Sequence, residues 1–397
     1  MRRHFKWMAC LGFLFCGCSA FSQLMNSAPP FRYQDVPVRI ETPYSPQPVT
    51  GSDGNTYMTY QIFITNLAVM PVTIDGIEVS SREGGRLLAF NTEDLEDYNR
   101  FRSVLGVMAA GQPPRRINPA ATMVAFVWLR VNAGGRVPDT LFQDFRFKKE
   151  ANISIMSGSP AAPDTDMVIS GVPVPVIKKE PVEIGLPFRK GNWRCGNAPG
   201  TYVSDHQVLV VRQGRLRNPQ EWGFDFSEVD SAGNILPSPF PDTISRNMFY
   251  GYGESILAVA DGRIVFVQDG VPENIPQANG SIRHATELNR KTYAGNWICL
   301  EIKEGIYAFY AHLQPGKIKV QKGQKVKKGQ VIAFLGNSGN TPGPHLHFHL
   351  GDQFNEHGGD LNGNQGLPFV FDRFRIKNDR RVHARQIPLT NQVISVE

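Results

Sequence analysis

Residues 345–349 read His-Leu-His-Phe-His, and this alternation constrains the fold more than any other stretch of the chain. On a β-strand, successive side chains point to opposite faces, so Leu346 and Phe348 would face a core while three imidazoles line the other face. Neighbouring imidazoles would then be about 6.5–7 Å apart at Cα. Because a row of buried imidazoles needs a partner for every ring nitrogen, the pattern predicts a metal or catalytic site.

The start of the chain, residues 1–20, is typical of a secretory signal. Three basic residues precede an apolar or small stretch, and the first acidic residue is Asp35. Two cleavages are open at the end of this segment. Cys18-Ser19-Ala20 fits signal peptidase, whereas Phe15-Cys16-Gly17-Cys18 resembles a bacterial lipobox and would leave Cys18 lipidated as a membrane anchor. We therefore predict export to the periplasm or cell envelope, and lipidation would make the protein an outer-membrane lipoprotein.

Charge and cysteine content narrow the partners and the redox chemistry. Without the three basic residues of the signal, the formal net charge of +6 falls to about +3. Such mild basicity suits an anionic polymer such as a cell wall, and no nucleic-acid-binding motif is present. Of the five cysteines, only Cys195 and Cys299 lie beyond the signal. They could form a disulfide in an oxidising compartment, or they could be two separate buried thiols.

The N-terminal half reads as short β-strands without chemistry. After a tether or edge at 24–50, we interpret residues 51–170 as a β-sandwich of immunoglobulin-like kind. Asp75-Gly76 predicts a hairpin turn, and one helical pattern covers 91–105. Strand-like runs occur at 57–64, 72–74, 77–79, 123–131, 153–155 and 167–169. Because this domain contains no histidine and no cysteine, we predict no catalysis there.

The C-terminal half carries the chemistry. Residues 171–190 are a Pro-rich linker, residues 191–374 form the second domain, and 375–397 form a tail. Glycine-bounded runs in the second domain predict at least six antiparallel strands and almost no helix, so the fold class is all-β. Six of the nine histidines lie in this domain before position 350: His206, His284, His312, His345, His347 and His349.

Two further groups could join the histidine strand. Tyr310-Ala311-His312-Leu313 ends a predicted strand, where an imidazole can reach across a cleft. Asp225 lies between Phe224 and Phe226, and burying a carboxylate is costly unless it is paired or bound to a metal. Zinc accepts a carboxylate oxygen beside imidazole nitrogens, and catalytic sites combine three protein ligands with a water.

Several motifs together resemble the lysostaphin/LytM family of zinc metallopeptidases over about residues 195 to 372. They are Trp222-Gly223-Phe224-Asp225, Ala258-Val259-Ala260-Asp261-Gly262-Arg263, Tyr310-Ala311-His312-Leu313, Val326-Lys327-Lys328-Gly329-Gln330, Gly336-Asn337-Ser338-Gly339-Asn340 and Gly343-Pro344-His345-Leu346-His347-Phe348. The resemblance implies a small antiparallel β-sheet fold with a groove and one Zn²⁺. It also implies endopeptidase activity on peptide stems or cross-bridges of bacterial peptidoglycan.

The resemblance also implies residue roles. Carried over by position, Asp225 and His347 would be metal ligands. His312 and His345 would be the catalytic pair that does not bind the metal but orients the water and stabilises the oxyanion. His349 is predicted to be a rim residue or a hydrogen-bonding partner of the ligands. The loop from Asp269 to Thr292, which contains His284, would border the groove, and His357 and His383 are expected to be exposed.

One departure leaves the third ligand open. The family places a His four residues before the Asp, and this chain has Glu221 there. Glu221 could bind zinc itself, His206 could supply the ligand from upstream, or the site could be degenerate. Some relatives with such an N-terminal extension resemble the second pattern, so we assign the metal set His206, Asp225 and His347. That Asp225 is retained together with the catalytic histidines argues against decay.

Two other functions compete with a peptidase. A degenerate, non-catalytic module of the same fold would bind the wall or activate other wall hydrolases, and Glu221 in the usual ligand position is its main support. A carbohydrate-binding β-protein without metal is a weaker alternative. Stoichiometric zinc in the purified protein would favour the peptidase.

Overall fold

The computed structural model describes residues 36–83, 85–104, 114–148, 167–202, 204–238, 244–277, 282–354 and 363–396. The predicted signal with Cys18, residues 24–35 of the predicted tether, the predicted strand at 153–155 and His357 lie outside these residues. Within them, no helix has the length and apolar character needed to cross a membrane. Nearly all of the regular structure is β, as the sequence predicts.

Ten strands and one short helix make up the N-terminal part of the described chain. They are β1 (Val38–Glu41), β2 (Val49–Thr50), β3 (Thr56–Asn66), β4 (Val72–Ser81), β5 (Gly85–Phe90), α1 (Thr92–Glu96), β6 (Phe101–Ser103), β7 (Arg116–Ile117), β8 (Thr122–Val131), β9 (Thr140–Lys148) and β10 (Met167–Pro175). One antiparallel sheet has the order β1-β3-β8-β6, with β2 beside β3. A second has the order β10-β9-β4-β5, with β7 beside β4.

The two sheets share one core, which makes this part a β-sandwich. Tyr60 and Ile62 of β3 are buried in the same cluster as Ile74 and Ile77 of β4. The burial of apolar side chains from both sheets in a single cluster is what stabilises two packed layers. The immunoglobulin-like assignment stays a prediction.

The predicted helix at 91–105 is too long. The helix α1 begins after Asn91, whose side chain accepts a hydrogen bond from the Asp94 backbone while the Asp94 carboxylate accepts one from the Asn91 backbone. This reciprocal cap favours the first turn. The helix ends at Glu96, and the following residue, Asp97, has extended backbone angles. Phe101, assigned to the helix by its spacing, instead lies in β6 opposite Ala125, because sheet pairing outweighs a helical pattern of this length.

Seventeen strands of the described chain follow. They are β11 (Val182–Ile184), β12 (Gly191–Gly196), β13 (Val210–Arg212), β14 (Arg215–Arg217), β15 (Phe224–Val229), β16 (Ser255–Leu257), β17 (Gly262–Gln268), β18 (Ile275–Pro276), β19 (Ile282–Arg283), β20 (Asn296–Lys303), β21 (Ile306–Leu313), β22 (Lys325–Val326), β23 (Val331–Phe334), β24 (Leu346–Gly351), β25 (Phe369–Ile376), β26 (Val382–Gln386) and β27 (Val393–Val396); a 3₁₀ turn covers Arg246–Met248. The largest sheet has the order β11-β25-β27-β12-β15-β24-β21-β20-β17-β22, with β26 beside β25.

Strands occur in both segments predicted to lie outside the domains. β11, within the predicted linker at 171–190, pairs in parallel with β25. β26 and β27, within the predicted tail at 375–397, pair with β25, and β27 also pairs with β12. Both segments therefore contribute backbone hydrogen bonds to the large sheet, and the domain boundaries themselves stay a prediction.

The histidine strand lies in the middle of this sheet. β24 pairs with β15 on one side, where His347 is opposite Asp225. On its other side it pairs with β21, where His347 is opposite Ala311. Leu346 and Phe348 are fully buried in the main core, as the alternation predicts. Cys195 and Cys299 are free, buried thiols in two different core clusters, so no disulfide joins them.

We predict that replacing Gly295 by Ala destabilises the protein more than replacing Gly316 by Ala. Both glycines have positive φ, +65° and +69°, which costs an L-residue about 1–2 kcal/mol. A Cβ on Gly295 would also lie 2.2 Å from the Ser338 carbonyl oxygen, whereas one on Gly316 would meet nothing within 4 Å. The free energy of unfolding, measured with urea, should therefore be about 1–3 kcal/mol lower for G295A than for G316A. Equal losses would show that the approach of the two loops is not constrained.

Candidate metal centre

Three potential ligands converge beside the histidine strand. The Asp225 Oδ1 atom lies 3.0 Å from His347 Nδ1 and 3.2 Å from His206 Nε2. One ligand atom from each residue lies within 4.8 Å of the other two. Asp225 and His347 are brought together by strand pairing, whereas His206 comes from the loop between β12 and β13.

The donor set suits a tetrahedral divalent ion such as Zn²⁺. Zinc–ligand bonds of about 2.1 Å in tetrahedral geometry separate neighbouring ligand atoms by about 3.4 Å, close to the two distances to Asp225. Two imidazoles and one carboxylate leave a fourth position for water. Of the two residues considered for the third ligand, His206 lies in this group and Glu221 does not.

The electrostatics of the group favour a charged Asp225. Burial opposes ionisation of this carboxyl, but the imidazoles of His206 and His345 outweigh it and hold the pKa well below its ordinary value. Burial alone would lower the pKa of His206, yet Asp225 raises it overall. Burial lowers the pKa of His347, and its hydrogen bond to Asp225 offsets this only in part. The result is an anionic oxygen that faces two buried rings.

Asn197 holds the carboxylate in place. Its amide donates a hydrogen bond of 2.8 Å to Asp225 Oδ2, which leaves Oδ1 to face the imidazoles. The Asn197 carbonyl also accepts a hydrogen bond from the Ser204 hydroxyl, and that hydroxyl accepts one from the His206 backbone. The loop that carries His206 is thereby tied to the residue that orients Asp225. Sequence reasoning missed Asn197, because a lone Asn in a loop gives no signal of its own.

The carboxylate of Glu221 lies outside the group of potential ligands and accepts hydrogen bonds from other residues. Its Oε1 atom accepts hydrogen bonds from Thr59 (3.1 Å) and Gln61 (2.5 Å), and its Oε2 atom accepts one from Gln365 (2.9 Å). Burial raises the pKa of Glu221 to about 7, although these hydrogen bonds oppose the rise. The residue at the family's usual ligand position therefore joins the sandwich to the large sheet.

His312 and His345 flank the three potential ligands, and hydrogen bonds define the tautomer of each ring. His312 Nδ1 lies 2.8 Å from the Ser338 carbonyl oxygen, and His345 Nδ1 lies 2.9 Å from the Gly343 carbonyl oxygen. A carbonyl only accepts, so each Nδ1 carries the hydrogen and each neutral ring keeps its lone pair on Nε2. The two ring centroids are 4.8 Å apart, and His345 Nε2 is 3.5 Å from Asp225 Oδ1.

His312 is strained as well as oriented. Its φ of +64° lies in the left-handed region, which is uncommon for residues other than glycine and tends to occur at functional sites. Ser338, whose carbonyl accepts the hydrogen bond from His312, is itself held in place. Its hydroxyl donates a hydrogen bond to the Leu313 carbonyl and accepts one from the side-chain amide of the buried Asn296. Sequence reasoning quoted Ser338 within a motif without assigning this role.

Three other histidines lie among the described residues, and one of them is a close neighbour of the group. His349 is fully buried, stacks on Phe309, and places Nδ1 3.0 Å from His347 Nε2. It is therefore no rim residue but a hydrogen-bonding partner of His347. His284 is exposed in its loop. His383, predicted to be exposed, is buried because it packs on Phe374 and bonds Gln386 and Asp379.

Comparison with known proteins shows that the C-terminal region is similar to a family of peptidases. Residues 246–358 match Peptidase family M23. Peptidoglycan DD-endopeptidase ShyB of Vibrio cholerae is 33% identical over 128 residues, which cover 30% of each chain. Glycyl-glycine endopeptidase ALE-1 of Staphylococcus capitis is 34% identical over 101 residues, 25% of this chain and 27% of the relative. Lysostaphin of Staphylococcus simulans is 30% identical over 118 residues, which cover 28% of this chain and 19% of the relative. The chain thus spans less than a third of the length of each of these relatives.

We predict that His312 is neutral, with its proton on Nδ1, in metal-free protein at neutral pH. Burial and then the neighbouring rings of His345 and His347 lower its pKa well below the ordinary value, so the ring should resist protonation in mild acid. Ring ¹⁵N chemical shifts, assigned by comparison with His312→Asn, report both tautomer and charge. A protonated ring at neutral pH, or a proton on Nε2, would contradict the geometry.

Proposed function

Because the C-terminal region contains a domain of peptidase family M23, we propose that this chain is a zinc-dependent endopeptidase that cleaves peptide bonds of bacterial peptidoglycan. The observation that carries the proposal is the convergence of His206, Asp225 and His347 beside the paired rings of His312 and His345. The names of the relatives support the substrate class, since they describe a peptidoglycan endopeptidase and a glycyl-glycine endopeptidase.

His206 Nε2, Asp225 Oδ1 and His347 Nδ1 would hold the zinc ion. When bound, zinc supplies a water of lowered pKa and polarises the scissile carbonyl. His347 must then carry its proton on Nε2, and His349 Nδ1 lies within hydrogen-bonding distance to accept it. Asn197 keeps the other oxygen of Asp225 occupied, so that the carboxylate presents one oxygen.

His312 and His345 would move the protons. Each presents a bare Nε2 because its Nδ1–H is held by a backbone carbonyl. A bare Nε2 can accept a proton from the attacking water and later return it to the leaving amine. Once protonated, the same nitrogen can donate a hydrogen bond to the developing oxyanion. The low pKa of His312 keeps that ring neutral, which is the form able to accept the first proton.

The site of action would be outside the cytoplasm, where peptidoglycan lies. The export signal predicted at residues 1–20 agrees with this location, and a lipidated Cys18 would attach the protein to the outer membrane. The described residues begin at Val36, so this attachment remains a proposal from sequence.

Digestion of purified peptidoglycan tests the proposal, with two variants that should fail for different reasons. Wild type should carry stoichiometric zinc and release peptide fragments. Asp225→Ala should lose both zinc and activity. His345→Ala should keep zinc, because His345 is outside the ligand group, but lose about 10²–10⁴-fold in turnover through the missing proton transfer. Zinc-loaded wild type that leaves the wall intact would instead favour the non-catalytic module that binds the wall or activates other hydrolases.

We further predict that His206→Ala lowers zinc affinity at least about 100-fold, because one of three ligands is removed. Glu221→Gln should still bind one zinc per chain, since an amide can keep most of the hydrogen bonds to the sandwich. Competition with a chromophoric chelator measures both. If E221Q loses the metal while H206A retains it, the third ligand is Glu221 and our assignment is wrong.

A further inference from the structure

The loop that carries His206 is supported by the sandwich. Among the described residues between β12 and β15, the only regular structure is the hairpin β13–β14, which forms a separate two-stranded sheet. Leu209 and Leu216 of this hairpin region pack against a buried cluster of Phe63, Val124 and Phe126 on strands β3 and β8. The sandwich therefore supplies the apolar surface that the hairpin covers.

Two arginines of the sandwich contact the residues around His206 directly. Arg102 of β6 donates a hydrogen bond to the Gln207 backbone carbonyl, and its guanidinium lies 4.5 Å from the centroid of the Phe126 ring. Arg100, just before β6, lies 4.4 Å from the centroid of the Tyr202 ring. Residues on both sides of His206 in the sequence, Tyr202 and Gln207, are therefore in contact with arginines of the sandwich.

A third contact follows at the end of the loop. Glu221 accepts hydrogen bonds from Thr59 and Gln61 of β3, and Trp222 packs edge-on against Trp128 of β8 at a centroid distance of 5.5 Å. A small cavity lined by Thr59, Trp128, His206 and Glu221 lies between the two parts. His206 therefore borders the contact between the domains as well as the metal group.

We propose that the sandwich is a structural part of the metal centre: its docking on residues 202–222 holds His206 at the ligand position, so that zinc binding and sandwich docking are thermodynamically linked. The proposal rests on the proposed zinc site. An unsupported loop loses conformational entropy when one of its residues binds a metal, and contacts that order the loop beforehand remove that cost. Arg102 and Gln61 are positioning residues in this scheme.

Zinc affinity of the full chain tests the linkage. Arg102→Met should weaken zinc binding about tenfold, because the Gln207 carbonyl loses its donor. Arg86→Met is the matched control, since Arg86 is a well exposed arginine on β5 of the other sheet, and it should leave the affinity unchanged. Arg102→Lys, which retains a donor, should recover part of the loss. Gln61→Leu removes a donor to Glu221 and serves if R102M does not fold.

Hydrogen exchange supplies a readout that does not need a variant of the interface. By reciprocity, whatever docking adds to zinc affinity, zinc must add to docking. Zinc should slow amide exchange in β3 and β6 of wild type by a similar factor, with no change in Asp225→Asn. If wild type binds no zinc, the proposed function fails. If wild type binds zinc but R102M and Q61L bind it as tightly as R86M and exchange in β3 is unchanged, the linkage alone is refuted.

Discussion

The site depends on one cross-strand pair, Asp225 opposite His347. Directly opposite residues in an antiparallel sheet share a face and lie about 5 Å apart, so the pairing of β15 with β24 brings two of the proposed ligands together without any loop. The reverse face of the same two strands carries phenylalanines that fill the main core. If β15 slipped by one residue in its pairing, the Asp225 carboxylate would turn into the core and the phenylalanine rings of β15 would turn out of it. Core packing therefore fixes the register, and the register fixes the site.

This division of faces is why the local part of the site could be predicted. Period-two alternation in residues 345–349 and around Asp225 requires only neighbouring residues, and the structure follows it. The helix predicted at 91–105 was wrong beyond Glu96, since Phe101 pairs with β8 instead. β11 and β27, in the predicted linker and tail, were missed for a related reason: each pairs with a strand about 185–200 residues away, so no local pattern indicates the pairing. β26 is different, because it forms a local hairpin with β25 across residues 377–381.

Residue spacing alone did not decide between His206 and Glu221 as the third proposed ligand, and only the family resemblance favoured His206. His206 reaches the site from a loop, and loop geometry has no periodicity that would set a ligand spacing. Glu221 occupies the usual ligand position, but its partners Thr59 and Gln61 lie 162 and 160 residues earlier in the chain. The docked arrangement of the sandwich supplies that carboxylate with two of its hydrogen-bond donors. In the structure Glu221 lies in the contact with the sandwich, and the upstream His206 lies beside Asp225.

The place of β27 in the large sheet has a consequence for how the chain acquires its shape. β27 lies between β25 and β12, although about 200 residues separate β12 from β27 in sequence. Closing so long a loop is entropically slow and comes after local hairpins such as β20–β21 have formed. During synthesis, β12 lacks this neighbour until residues 393–396 have emerged. Until then the large sheet is incomplete on the side of β12 that faces away from β15.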